Sequence, residues 1–201
     1  RPPPPEELVP QFPLIREADK AFNVASIEQD GYEADDLIAT YAREAIAKGG
    51  DVTIVSSDKD LMQLIRPGVV MLDGMKSKRI GPDEVMDKFG VPPDKVVDVQ
   101  SLAGDSTDNV PGVPKVGPKT AAKWLQQYGS LDELVAHAAE VGGAVGNHLR
   151  DALHQLPLSK KLVTILDDLD LPWHCDGLAC RPPDRLPDDD GALFAQCTDT
   201  I

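Results

Sequence analysis

The sequence predicts an α/β fold: a partial, mostly parallel sheet with flanking helices, followed by a helical subdomain. Three observations predict it. Apolar residues at helical spacing alternate with short β-branched runs as far as residue 104. Beyond that point the β-branched runs stop and one helical pattern follows another. Finally, the 18 prolines and 16 glycines fall mostly between these segments or at the two ends, where they act as breakers.

Residues 1–13 are proline-rich and read as extended, leading into a short helix near Leu14–Phe22. Over 33–48, Ala34, Leu37, Ile38, Tyr41, Ala42, Ala45 and Ile46 keep the i, i+3, i+4, i+7 pattern, and Gly49-Gly50 supplies the stop. Val52–Val55 and Val69–Leu72 read as buried strands. Pro82 opens a helix that Gly90 closes, and another runs from Pro93 to Ala103 with Gly104 behind it. Helices are then expected over 118–128, 131–140, 144–156 and 158–168, with Ser130 and Glu133 at capping-box spacing. Three segments follow: 1–104 as an α/β portion, 105–172 as a helical subdomain, and 173–201 as an irregular acidic tail.

The chain contains no run of apolar residues of membrane-spanning length. Three cysteines, none at CxxC spacing, fit free thiols in a reducing compartment better than a disulfide frame or a zinc site. A net charge of −14 argues at face value against a nucleic-acid partner. An average over the whole surface, however, conceals a local basic patch beside an acidic ion site.

Seven carboxylates gather in three knots: Glu33, Asp35 and Asp36 in GYEADD, Asp58 and Asp60 in SSDKDL, and Asp105 and Asp108 in GDSTDN. Taken singly, each has an ordinary explanation as a helix-end charge, a turn residue or a cap. Taken together they hang at element ends of one small α/β unit, the DKD pair just past the carboxyl end of a strand, where such sheets place their ligands. Mg²⁺ favours a few carboxylates with water, and a pair of such ions is a standard device for phosphodiester hydrolysis. The stretch NVPGVPKVGPKTAAKW adds two glycine turns before a helix N-terminus, with Lys115, Lys119 and Lys123 beside them. Backbone amides at such a turn form a phosphate cradle, and Lys119 and Lys123 share one helix face. Nothing there reads bases, so contact with DNA is expected to be to the backbone.

GYEADD, TIVSSDKDLMQLI and LAGDSTDNVPGVPKVGPKTAAKWLQQYGS, in that order, resemble the 5′-nuclease family: 5′→3′ exonucleases and flap endonucleases, including the domain of that kind in bacterial DNA polymerase I. The resemblance runs from Arg1 to about Pro172. It implies that the seven acids are catalytic residues ligating two Mg²⁺ or Mn²⁺ ions. It implies further that a helix–hairpin–helix-like motif, Gly112, Val113, Lys115, Gly117, Lys119, Thr120 and Lys123, grips duplex DNA, with a K⁺ ion on its loop carbonyls. The partner is then nicked, flapped or 5′-ended DNA, the setting cytoplasmic and nucleoid-associated, and the chain a monomer or part of a larger polymerase. Family members begin with an Asp-Gly-Ser strand, a second strand bearing an acid, and a cationic arch; this sequence opens where that arch finishes, so a truncated member is expected. The alternative is a catalytically inactive module that only binds DNA.

Overall fold

The computed structural model describes residues 3–179; residues 180–201, most of the expected tail with Cys180 and Cys197, lie outside the described part. The described residues divide into two compact units, 31–170 and a second made of 3–30 with 171–179. The smaller unit carries helix α1 (Gln11–Ala21), which has no buried residue, and an Arg16–Glu28 ion pair of 2.6 Å. The helix starts three residues before the apolar pattern suggested, because Pro13 falls in its first turn, where a missing N–H costs nothing. A single 3₁₀ turn, Cys175–Leu178, is the only regular element after residue 172 among the described residues.

The larger unit begins with α2 (Ala34–Ala47), whose Leu37, Ala39, Thr40 and Ala42 are buried. Strand β1 (Val52–Val55) pairs in parallel with β2 (Val69–Asp73), Val52 opposite Val69 through Val55 opposite Leu72. A short third strand, β3 (Lys78–Ile80), was absent from the sequence expectation and pairs antiparallel with β2. Two of its three residues are charged or polar and exposed, so it lacks the apolar run that marks a buried strand. Another missed element is a 3₁₀ turn, Asp60–Leu64, with Leu61, Met62 and Leu64 in the core.

Helix α3 (Pro82–Phe89) is held at its start by Glu84, whose Oε2 accepts from the Gly81 amide at 2.8 Å. Then come a 3₁₀ turn, Pro93–Lys95, and α4 (Val96–Ala103). Helices α5 (Pro118–Tyr128), α6 (Leu131–Ala136), α7 (Gly143–Ala152) and α8 (Leu156–Val163) follow. Ser130 caps α6 as its spacing suggested, its Oγ accepting from the Glu133 amide at 3.1 Å.

Two differences from the expected layout matter for the site. Helix α8 ends at Val163, five residues early, because the amides beyond it are drawn off by side chains. The Ile165 amide donates to Gln63 Oε1 at 3.1 Å and the Leu166 amide to Asp36 Oδ1 at 2.9 Å, so residues 164–170 run extended beside α2. The boundary placed at residues 104–105 is also crossed by one hydrophobic core running from Ala39 to Leu156. Helix α4 is the reason: it packs against α5 and α8 on one side and the Asp60–Leu64 turn on the other.

A carboxylate cluster at the end of the parallel strands

The chain leaves β1, turns through Ser56–Lys59 and enters the 3₁₀ turn at Asp60. Ser56 Oγ accepts from the Asp58 amide and Asp58 Oδ1 from the Asp60 amide, both at 3.0 Å, so Asp58 shapes the turn that presents Asp60. Gln63 fixes the far end of the turn, its Nε2 donating to the carbonyls of Asp60 and Val163, each at 3.0 Å.

Across from this turn, α4 ends at Gly104 and the chain doubles back. Asp105 and Val110 exchange both backbone hydrogen bonds, 3.1 and 2.7 Å, closing Asp105–Val110 into a small loop. Gly104 has φ +71°, and a Cβ there would lie 2.6 Å from the Gly112 amide. A Cβ on Gly112 would lie 2.4 Å from the Ala103 carbonyl carbon and the Gly104 nitrogen. Only glycine lets these two backbones cross so closely, and the crossing aims Asp105 at Asp60.

One carboxylate oxygen from each of Asp60, Asp105 and Asp108 lies within 4.8 Å of the others. Asp105 is buried, Asp60 half-buried and Asp108 exposed. The donors are all oxygens, the set that suits a hard divalent cation, and three like charges at this spacing repel one another without one. The residues therefore fit a divalent ion.

Lys59, which the sequence reading quoted in DKD without a role, stands in this group. Its Nζ donates to Asp105 Oδ2, while Asp105 Oδ1 accepts from the Thr107 amide at 2.8 Å. That ammonium hydrogen bond holds the Asp105 carboxyl below the usual range, and the same bond, with the charges of Asp60 and Asp108 adding to it, raises the Lys59 pKa. Asp60 is shifted upward, chiefly by burial and against a hydrogen bond from Gln100.

The first knot divides. Asp35 faces the DKD turn: burial first, then the charges of Asp58, Asp60, Glu33 and Asp36, push its pKa up to about 6. Asp36 also shapes the backbone. Its Oδ2 accepts from the Glu33 amide at 3.3 Å and its Oδ1 from the Leu166 amide, so both oxygens already serve the backbone. Glu33 is the N-cap residue of α2 and exposed. Glu33 and Asp36 thus shape the start of α2 and, with Asp58 and Asp60, also act on Asp35 through their charge, while Asp60 draws together with Asp105 and Asp108.

The hairpin divides as well. Val113 is 2% exposed and its amide donates to the Leu102 carbonyl, so its side chain is core and not a contact surface. Gly112 is consumed by the backbone crossing. Lys115, Gly117, Lys119 and Lys123 are exposed and Thr120 half-buried. The Val116 amide closes a turn onto the Val113 carbonyl at 3.0 Å, with Pro114 and Lys115 at its corners and Lys115 at φ +64°.

Two family models cover the chain in succession: the 5′-3′ exonuclease N-terminal resolvase-like domain over residues 1–90 and the 5′-3′ exonuclease C-terminal SAM fold over residues 91–186. The chain belongs to the 5′-3′ exonuclease family. A DNA polymerase I of Rhizobium leguminosarum is 54% identical over 180 residues, 89% of this chain and 18% of that protein. A 5′-3′ exonuclease of Aquifex aeolicus is 38% identical over 184 residues, 92% of this chain and 63% of that protein. The chain thus spans about a fifth of the polymerases it matches. Among solved structures, a bacteriophage T5 flap endonuclease in a pseudo-enzyme-product complex with DNA and metal ions shares the fold, with TM-score 0.66 at 18% identity, covering 74% of this chain and 55% of that one. No described helix is long and apolar enough to cross a membrane.

Proposed function

We propose that this chain is the divalent-metal-dependent 5′→3′ exonuclease or flap endonuclease portion of a DNA polymerase I, hydrolysing DNA phosphodiesters in replication and repair. The observation that carries this is the convergence of Asp60, Asp105 and Asp108, from loops 45 residues apart in sequence, onto a span of 4.8 Å. Asp35 and Asp58 complete the negative bowl, with Glu33 and Asp36 holding the α2 N-terminus in place beside it. A bound Mg²⁺ or Mn²⁺ pair supplies charge neutralisation of the phosphate and a more acidic water.

The protein's own part is to keep these acids together and ionised. Lys59 does this for Asp105 by direct donation to Oδ2. Burial keeps the bowl poorly hydrated at Asp105, which strengthens its hold on a cation. DNA lies with its phosphates along Lys115, Lys119 and Lys123, exposed together at the hairpin and the start of α5. A K⁺ ion on hairpin carbonyls belongs to the same proposal; those of Gly112, Val113 and Gly117 already accept internal hydrogen bonds.

The test is Mg²⁺-dependent cleavage of a 5′-labelled flap duplex by the 201-residue chain, with an electrophoretic shift of the same DNA in Ca²⁺. The expected result is cleavage that Asp105→Ala abolishes. A shift without cleavage would replace the nuclease by a DNA-binding module.

A further inference from the structure

Helix α4, VVDVQSLA, buries three polar side chains, Asp98, Gln100 and Ser101, and Gln100 lies five residues before Asp105. Gln100 is 5% exposed. Its Nε2 donates to Asp60 Oδ1, bridging α4 to the turn after β1. The amide cannot be reversed, because an ionised carboxylate only accepts and a flipped amide would set oxygen against oxygen. Its Oε1, on the same carbon as the nitrogen that meets Asp60, is buried, and no donor among the described residues reaches it.

Buried acceptors in native proteins are nearly always satisfied, so a specific orphan demands an explanation. An acceptor on the side chain that holds Asp60 has a natural partner in a water molecule on a cation held by the three carboxylates, whose O–H bonds point away from the ion and are stronger donors than those of bulk water.

We propose that Gln100 is a positioning residue of the metal site, its amide N–H holding the Asp60 carboxylate in register with Asp105 and Asp108 and its Oε1 accepting from a water of the ion's shell. This rests on the metal-site reading above. Gln100 works through Asp60 and the shell water and touches neither substrate nor scissile bond. The acidic knots carry no hint of it in sequence: its only signal is a lone amide in helix α4.

The test compares the full chain with Gln100→Leu, and with Gln100→Met should the branched side chain prevent folding. Mn²⁺ binding is followed by electron paramagnetic resonance and melting is recorded without metal. The expected result is roughly ten- to hundred-fold weaker Mn²⁺ binding, a changed spectrum of the bound ion, and a metal-free melting temperature equal to or above that of the parent, since an orphan acceptor has been removed. Unchanged affinity and spectrum in the variants overturn the role of Gln100 alone. An affinity loss that tracks a lowered metal-free melting temperature, or failure of both variants to fold, makes Gln100 a support of the fold and overturns it too. A parent chain that binds no Mn²⁺ overturns both this role and the metal site itself.

Discussion

Asp35 shows how the bowl trades stability for readiness. Burial and four neighbouring acids raise its pKa to about 6, above the value near 3.9 of an unfolded aspartate. The folded chain then holds a proton that the unfolded chain has released. Asp35 stabilises the fold fully only below the unfolded value and loses that contribution as pH rises through about 6. Near neutral pH its charge is a liability in the metal-free protein. Asp35→Asn is therefore expected to raise the melting temperature near neutral pH without metal and to change little at about pH 4. With Mg²⁺ bound in the bowl as proposed, the difference should shrink. Melting curves at the two pH values decide it, and a variant less stable at neutral pH would mean that Asp35 is held by an attraction the structure does not show. Asp105 has the opposite sign: the Lys59 hydrogen bond lowers its pKa, so its contribution is present at neutral pH and fades only below the unfolded value.

The turn that carries Asp105 depends on two glycines whose backbones cross, and this is where sequence and structure part company. In GDSTDNVPG the acids are easy to find, and so is the helix stop at Gly104; Ser130 as a cap and the strand before DKD were equally readable, because each rests on neighbours in the chain. Gly112 looked like part of a phosphate cradle, and only the fold shows it pressed against Ala103. The backbone role of Asp36 and the place of Gln100 were missed for the same reason, their partners being Leu166 and Asp60, 130 and 40 residues away. Gly112→Ala is expected to cost about 3 kcal/mol, the upper end for overpacking, because the obstructing atoms are backbone. Gly117→Ala, with nothing within 4 Å, is expected to stay within about 0.5 kcal/mol. Denaturant midpoints of the two variants measure both, and equal costs would remove the crossing as the reason for glycine.

Lys115 provides a cleaner dissection of the same hairpin. Its φ of +64° costs a side-chain-bearing residue roughly 1–2 kcal/mol, of which glycine's extra freedom in the unfolded chain takes back about 0.5–1 kcal/mol. Lys115→Gly is expected to stabilise the fold by about 0–1.5 kcal/mol while weakening DNA binding. Gains in both stability and affinity would show that the lysine serves neither purpose.

A protein with net charge −14 can hold a polyanion only if its charges are sorted in space. The acids converge at the end of β1, and the exposed lysines of the proposed grip stand at the hairpin and on α5. The two groups should act on DNA binding with opposite sign and be separable by salt and by Ca²⁺. If Lys115, Lys119 and Lys123 each neutralise one phosphate, replacing all three by alanine lowers the slope of log affinity against log salt by about 3. It leaves the response to Ca²⁺ in place. Asp105→Asn does the reverse: it relieves repulsion, so DNA binds more tightly without divalent ions, and it blunts the gain that Ca²⁺ brings to the parent. Electrophoretic titrations over a salt series, with and without Ca²⁺, read both effects. A triple-alanine chain with an undiminished slope would place the DNA on another surface, and an Asp105→Asn chain still fully responsive to Ca²⁺ would take the ion away from the cluster.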